Sequence, residues 1–330
     1  MSEKGTRRGE FTLIAELFAP LSKGASGALG LADDVALIDV SPGCHLVTTT
    51  DTLIAGVHFR ESDPPETIAR KALRVNLSDL AAKGAQPIGF LQALSLNDSI
   101  TDAYIERYVA GLAVDVQEFG IPLLGGDTTS GPGPLTITIT AFGEVEKGSA
   151  LLRSGARPGD IVGVTGTIGD GAVGLACLNA TLDLPTALAE HAIARYRIPQ
   201  PRLAIGRALK GLATACLDIS DGLVADVGHL SEASDVAIVL DRESVPLSPA
   251  VRAAITADAD WWDVVLGGGD DYELAFTLPP ERVPALETLA AKFKFPLTVI
   301  GTVSAERGKG VTVTSGGKLV PVSRTGYRHR

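Results

Sequence analysis

Acidic residues recur along this chain where apolar runs stop, and that recurrence constrains the fold more than any other feature. They stand at Asp33-Asp34, Thr48-Thr49-Thr50-Asp51, Asp79, Gly125-Gly126-Asp127, Asp218-Ile219-Ser220-Asp221-Gly222 and Gly267-Gly268-Gly269-Asp270-Asp271. Ligands of α/β proteins gather at strand ends of this kind, and the adjoining glycines permit close approach of the backbone. If several of these carboxylates converge, each pair at ~4 Å repels by roughly 4 kcal/mol at an effective dielectric of about 20, so cations must accompany them. Magnesium suits the pattern, because it is hard, takes oxygen ligands and is usually shared between a few carboxylates and nucleotide phosphates. The threonine oxygens beside Asp51 suit the same role. Any one Asp-Gly loop is ordinary turn chemistry; the set of them is what points to a site.

The stretches between these loops alternate between strand and helix patterns. Residues 35–40, 45–50, 90–96 and 135–145 read as strands, and 64–83 and 102–119 as helices, the first of these with Asp63 before Pro64 as a cap. Phe11, Ile14, Leu17 and Phe18 recur at helical spacing behind a polar tail over 1–8. Turn formers crowd 146–160, which places a domain boundary there, with one α/β domain over 1–148 and another over 149–330. In the second half 161–165, 215–219, 237–240, 273–278, 297–303 and 311–314 read as strands and 202–210 as a helix.

With 330 residues, 45% of them hydrophobic, the chain is long enough for two cores. A formal net charge of −10 argues against nucleic acid or anionic membrane as partners, since both need a basic footprint. Cys44, Cys177 and Cys216 are odd in number and far apart, which suggests neither a disulfide framework nor a zinc site and fits a reducing compartment. No apolar run is long enough to span a bilayer and none follows the basic N-terminus, so the expected location is cytoplasmic.

The chain contains no G-x-x-x-x-G-K-[ST] sequence and none of the linked protein-kinase signatures, so any nucleotide needs another cradle. Acidic, Gly-rich loops could supply it through magnesium, with Arg153 as a bidentate phosphate clamp. The stretch from Gly169 to Gly174 does match G-x-G-x-x-G, but helical sequence follows it through Tyr196, without the second strand and ribose-binding acid of a dinucleotide fold.

The chain carries a series of motifs: G-E-F-x-L-I from Gly9, D-D-x-A from Asp33, T-T-D-T-L-x-x-G-x-H-F from Thr49, K-A-L-x-V-N-L-S-D-L-A-A-x-G-A from Lys71 and G-G-D-T-T from Gly125. A T-R-S-G-A-x-P-G-D-like run from Leu152, D-I-S-D-G-L from Asp218 and G-G-x-D-Y-E-L from Gly268 complete it. Taken in order, these motifs resemble the thiamine-monophosphate kinase family. Single motifs occur across the wider superfamily of aminoimidazole ribonucleotide synthetase relatives; the order, the Gly-Glu-Phe opening and His58-Phe59 are more specific.

The resemblance implies a two-domain α/β (α+β) fold in which the N-terminal sheets of two subunits form a dimeric β-barrel and the C-terminal half is an α/β sandwich. It implies transfer of the ATP γ-phosphate to thiamine monophosphate in a homodimer. By motif match, Asp34, Thr49, Thr50, Asp51, Asp79, Asp127, Asp218 and Asp221 would be magnesium ligands, with Asp51, Asp79, Asp127 and Asp218 at the catalytic centre. Gly126, Asp127, Arg153 and Ser220 would lie against ATP, and His58, Asp270 and Tyr327 would face the thiamine phosphate. Asp270 stands where the family usually carries glutamate, and the chain closes in Arg328-His329-Arg330 rather than in phenylalanine. The competing readings are another ATP-dependent superfamily enzyme, of the aminoimidazole ribonucleotide or selenophosphate synthetase or hydrogenase-maturation type, and a sensor of nucleotide or thiamine phosphate without turnover. The second and third of these enzymes use a cysteine near one terminus, and neither terminus here carries one.

Overall fold

The computed structural model describes residues 8–305, 308, 310–323 and 326–327; the tail expected over 1–8, all but its last residue, and the ending at 328–330 lie outside them. The chain divides into two compact units, one of residues 1–80 and 86–147 and the other of residues 81–85 and 148–330.

In the first unit the elements run α1 (Glu10–Leu13), β1 (Cys44–Ile54), α2 (Pro65–Ala82), β2 (Gln86–Leu96), α3 (Asp102–Phe119), β3 (Leu123–Ser130) and β4 (Thr136–Glu146), with the last residues of α2 counted in the second unit. The sheet order is β1-β4-β2-β3; only β2 and β3 are parallel. Alternation sets its faces: Ile137, Ile139, Ala141 and Val145 of β4 are buried while Thr136, Thr138, Thr140 and Phe142 point the other way. Two hydrogen bonds tie the helices to the buried face, Tyr108 hydroxyl to Gln92 Oε1 at 2.7 Å and Thr49 hydroxyl to Asp79 Oδ2 at 2.5 Å. Helix α3 matches its expected span because both ends are written locally. Thr101 caps it by accepting from Tyr104 N–H, and Gly120 closes it at φ +62°.

Two expectations fail here. Residues 35–40 form no strand, since the Leu37 N–H donates to Gly27 O, in a 3-10 helix over Ser26–Leu31, rather than to a neighbouring strand. Strand β3 is present where no strand is expected, because Gly-Gly-Asp in its middle disfavours a sheet and the segment is held by its register with β2.

The second unit continues with β5 (Ile161–Thr165), α4 (Asp170–Leu178), α5 (Thr186–Arg197), α6 (Leu203–Leu209), β6 (Ala215–Ile219), α7 (Leu223–Ser234) and β7 (Ala237–Asp241). After these come α8 (Pro249–Ala257), α9 (Trp261–Gly267), β8 (Glu273–Leu278), α10 (Val283–Phe293), β9 (Leu297–Val303), β10 (Gly310–Ser315) and β11 (Lys318–Val320). The strands form one seven-stranded mixed sheet in the order β11-β10-β7-β9-β5-β8-β6. Strands β5, β6 and β8 are buried along their whole length, so apolar residues fill both faces and polar ones such as Thr165, Asp218 and Glu273 sit at or beside their ends. Helix α4 begins in the G-x-G-x-x-G match, where Gly174 allows close packing, since a Cβ there would fall 2.2 Å from Ala192 O on α5.

Candidate active site

In the first unit, β1 and α2 bring two of the expected ligands into contact. Strand alternation points Thr49 and Asp51 to the half-buried face, where the Thr49 hydroxyl donates to Asp79. Thr50 points the other way, with Oγ1 against Ile139 O and Thr140 Oγ1, each at 3.1 Å. The two threonine side chains therefore do not share a ligand set.

On the Thr50 side of the sheet lies a cavity of about 880 Å³. Asp33, Asp34, Gly126 and Asp127 stand at it, and Phe18, Leu31, Val35 and Leu91 are among its apolar lining. Gly126 is glycine of necessity: a Cβ would fall 1.8 Å from Gln92 O across the β2–β3 pair. His58 is half-buried and its Nδ1 accepts from Ile54 N–H at 3.0 Å, so the ring closes its own turn and carries its neutral-state proton on Nε2. Phe59 beside it is a core residue, 3% exposed.

In the second unit the convergence is tighter. Strand β6 ends at Asp218-Ile219, leaving Asp218 only 7% exposed, and the chain turns through Ser220-Asp221-Gly222 into α7. Asp226, in the first turn of α7, holds that turn: its Oδ2 accepts from the N–H groups of Ser220, Asp221 and Gly222 at 3.0, 2.9 and 3.1 Å. Burial, and next the charge of Asp221, push the Asp226 carboxyl up to about 7 against the pull of those three donors. The loop before β8 lies on the same turn, with Asp270 N–H donating to Ser220 O at 2.9 Å and Tyr272 N–H to Ile219 O at 2.8 Å. The C-terminal segment reaches it too, through Tyr327 N–H to Asp221 O at 3.0 Å. Asp218, Ser220, Asp221, Asp270 and Tyr327 thus form one cluster. Arg153 is exposed, and its carbonyl accepts from Ser234 hydroxyl; among the described residues no contact joins it to that cluster.

Asp221, Asp226 and His229 each offer a ligand atom, all within 4.8 Å of one another, and this donor set fits a divalent cation. Asp226 and His229 were not expected from the sequence. Their spacing of three residues on one helix face, just after an acidic strand end, is the signal that could have found them.

Two family descriptions match the chain: "AIR synthase related protein, N-terminal domain" over residues 32–145 and "AIR synthase related protein, C-terminal domain" over 157–314. The fold and its acidic strand ends therefore define a member of the two-domain AIR synthase related proteins. Within that class, the chain is 41% identical over 324 residues to the thiamine-monophosphate kinase of Escherichia coli K12, covering 97% of this chain and 98% of that one. The crystal structure of the Stenotrophomonas maltophilia K279a enzyme superposes with a TM-score of 0.84 at 39% identity, over 94% of this chain and 98% of that one. A structure of AaThiL complexed with AMPPCP and TMP gives a TM-score of 0.78 at 33% identity, over 98% and 99% of the two chains. The chain belongs to the thiamine-monophosphate kinase family, whose members are ATP-dependent phosphotransferases.

Proposed function

We propose that the protein transfers the γ-phosphoryl group of ATP to thiamine monophosphate, releasing thiamine diphosphate and ADP. The observation that carries this reading is the likeness, along 98% of the chain, to a protein solved with AMPPCP and TMP together. AMPPCP stands in for ATP, with a carbon bridging the β- and γ-phosphorus atoms, and TMP in a kinase of this family is read as the thiamine phosphate acceptor.

The acceptor is a phosphate monoester, already mostly dianionic at neutral pH, so no general base is required. The difficulty is repulsion between two anions. Magnesium ions, when bound, would supply the positive charge that offsets it. We assign their ligands to Asp34, Thr49, Thr50, Asp51, Asp79, Asp127, Asp218 and Asp221, with Thr50 contributing from the opposite strand face to Thr49. Gly126, Asp127, Arg153 and Ser220 are assigned to ATP. The cavity edged by Asp34, Gly126 and Asp127 supports this, since its apolar lining suits a base and its carboxylates suit metal-bound phosphates. His58, Asp270 and Tyr327 are assigned to thiamine phosphate. The residues around these groups hold them in place: Thr49 fixes the Asp79 carboxylate, and Asp226 fixes the backbone from Ser220 to Gly222.

The same reading makes the protein a cytoplasmic homodimer. Supporting the dimer, the outer face of the β1-β4-β2-β3 sheet carries Leu46 at 45% exposure beside half-buried Phe142. Among the described residues no helix is long and apolar enough to cross a membrane.

The test is coupled detection of ADP with ATP, thiamine monophosphate and magnesium. ADP release that requires all three is expected; binding of both nucleotide and thiamine phosphate without ADP release would make the protein a sensor.

A further inference from the structure

Asp271 is 1% exposed, and its carboxylate is bonded to the start of α4. Its Oδ2 accepts from Gly169 N–H at 2.8 Å and its Oδ1 from Gly171 N–H at 3.2 Å. Those are the N-cap and second residue of α4, whose own N-cap, Gly169 at φ +93°, has no side chain to do this. The residues on either side of Asp271 are in the left-handed region, Asp270 at φ +71° and Tyr272 at +51°, a conformation that costs non-glycine residues and persists only where surroundings impose it. Two further bonds impose it here: Arg195 donates to Asp271 O at 3.1 Å and to Glu273 Oε1 at 2.8 Å. Contact is also close from below. A Cβ on Gly171 would lie 2.4 Å from Asp270 O, and one on Gly269 would lie 2.2 Å from Ser220 O.

We propose that Asp271 is a positioning residue for the transferase: by clamping the first turn of α4 with a buried carboxylate, it holds the strained 270–272 turn that aims Asp270 at the phosphate acceptor. The proposal rests on the assignment of Asp270 to the thiamine phosphate. Asparagine at 271 would keep the volume but turn an N–H₂ donor toward one of the two N–H groups, releasing one side of the clamp. Alanine at 171 attacks the same geometry from the other side. It favours the helix, yet its methyl group must displace Asp270.

The experiment measures KM for thiamine monophosphate and for ATP separately in Asp271→Asn, Gly171→Ala, Asp270→Ala and the Asp270→Ala/Asp271→Asn double variant. Each single change is expected to raise KM for thiamine monophosphate on the order of tenfold, with KM for ATP little altered and the double variant no worse than Asp270→Ala. A merely structural role would lower the active fraction, and hence apparent kcat, without moving one KM selectively. A raised value in Asp270→Ala beside an unchanged one in Asp271→Asn overturns this inference alone. An unchanged value in Asp270→Ala removes Asp270 from the acceptor site and overturns the inference together with that assignment. Should Asp271→Asn fail to fold, Gly171→Ala decides, and an unchanged KM for thiamine monophosphate there overturns the proposal.

Discussion

Thr49 donates its hydroxyl to Asp79, whereas Thr50, one residue on, turns its hydroxyl to β4. A strand separates neighbours in this way, so a motif read as a line of ligands becomes two half-sets on opposite faces. The carboxylates are the groups for which substitution is most telling. Asp51→Asn and Asp218→Asn conserve volume and remove charge, so each is expected to abolish turnover while circular dichroism and the melting temperature stay near those of the parent protein. Near-normal ADP release from either would strike it from the metal set. Cys216 offers a second check at this scale. It is fully buried, and burial pushes its thiol up to about 12, so the nucleophilic thiolate is absent at ordinary pH. Titration of the native protein at pH 8 with a thiol-reactive disulfide reagent should leave one cysteine unmodified until denaturant is added; reaction of all three without it would contradict the burial.

Helices α2 and α3 are joined by charge as well as by apolar packing. Arg74, 1% exposed, donates Nε to Asp115 Oδ2 at 2.7 Å and Nη2 to Asp115 Oδ1 at 2.8 Å, and Arg70 Nε adds a third bond to Oδ1 at 2.8 Å. Gly111 lets the two helices approach, because a Cβ there would fall 2.2 Å from Glu66 O. Removing the carboxylate leaves a buried guanidinium uncompensated, which typically costs about 3–5 kcal/mol. Urea unfolding of Asp115→Ala should show a loss of that order in the transition of the first unit, and a loss below about 1 kcal/mol would mean that Glu118, also bonded to Arg74, suffices. Since Asp79 lies on α2, the same variant tests whether this helix pair sets the height of that carboxylate over β1.

At the scale of the molecule, the dimer reading predicts a solution mass by light scattering of twice the 34.1 kDa chain. Leu46→Asp with Phe142→Asp should shift it toward the single-chain mass, and an unchanged dimer would place the interface elsewhere. Much of the architecture was legible beforehand. The spans of α3, β5, β6, β8 and β9 are those expected, because caps, turn residues and buried apolar runs are written into adjacent residues. Strand β3 was not, since its Gly-Gly-Asp becomes a strand only by pairing with β2, and the apolar run at 35–40 was misleading because among the described residues no strand lies beside it to complete its hydrogen bonds. Asp226 and His229 were missed for a related reason: inside a helix, Asp226 looks no different from a solvated residue until the preceding turn folds back over it, and His229 stays exposed beside it.

By itself the sequence determined which residues could serve: an order of acidic strand ends and glycine turns that carries both the kinase family and the list of candidate ligands. Tertiary structure alone decided which of them meet. Ser220, Asp270 and Tyr327 are far apart along the chain and come together through backbone hydrogen bonds to one turn, and nothing in local propensity encodes a bond between residues fifty or more positions apart. The physical reason is that chain order sets composition and local conformation, whereas the packing of the sheet sets distance.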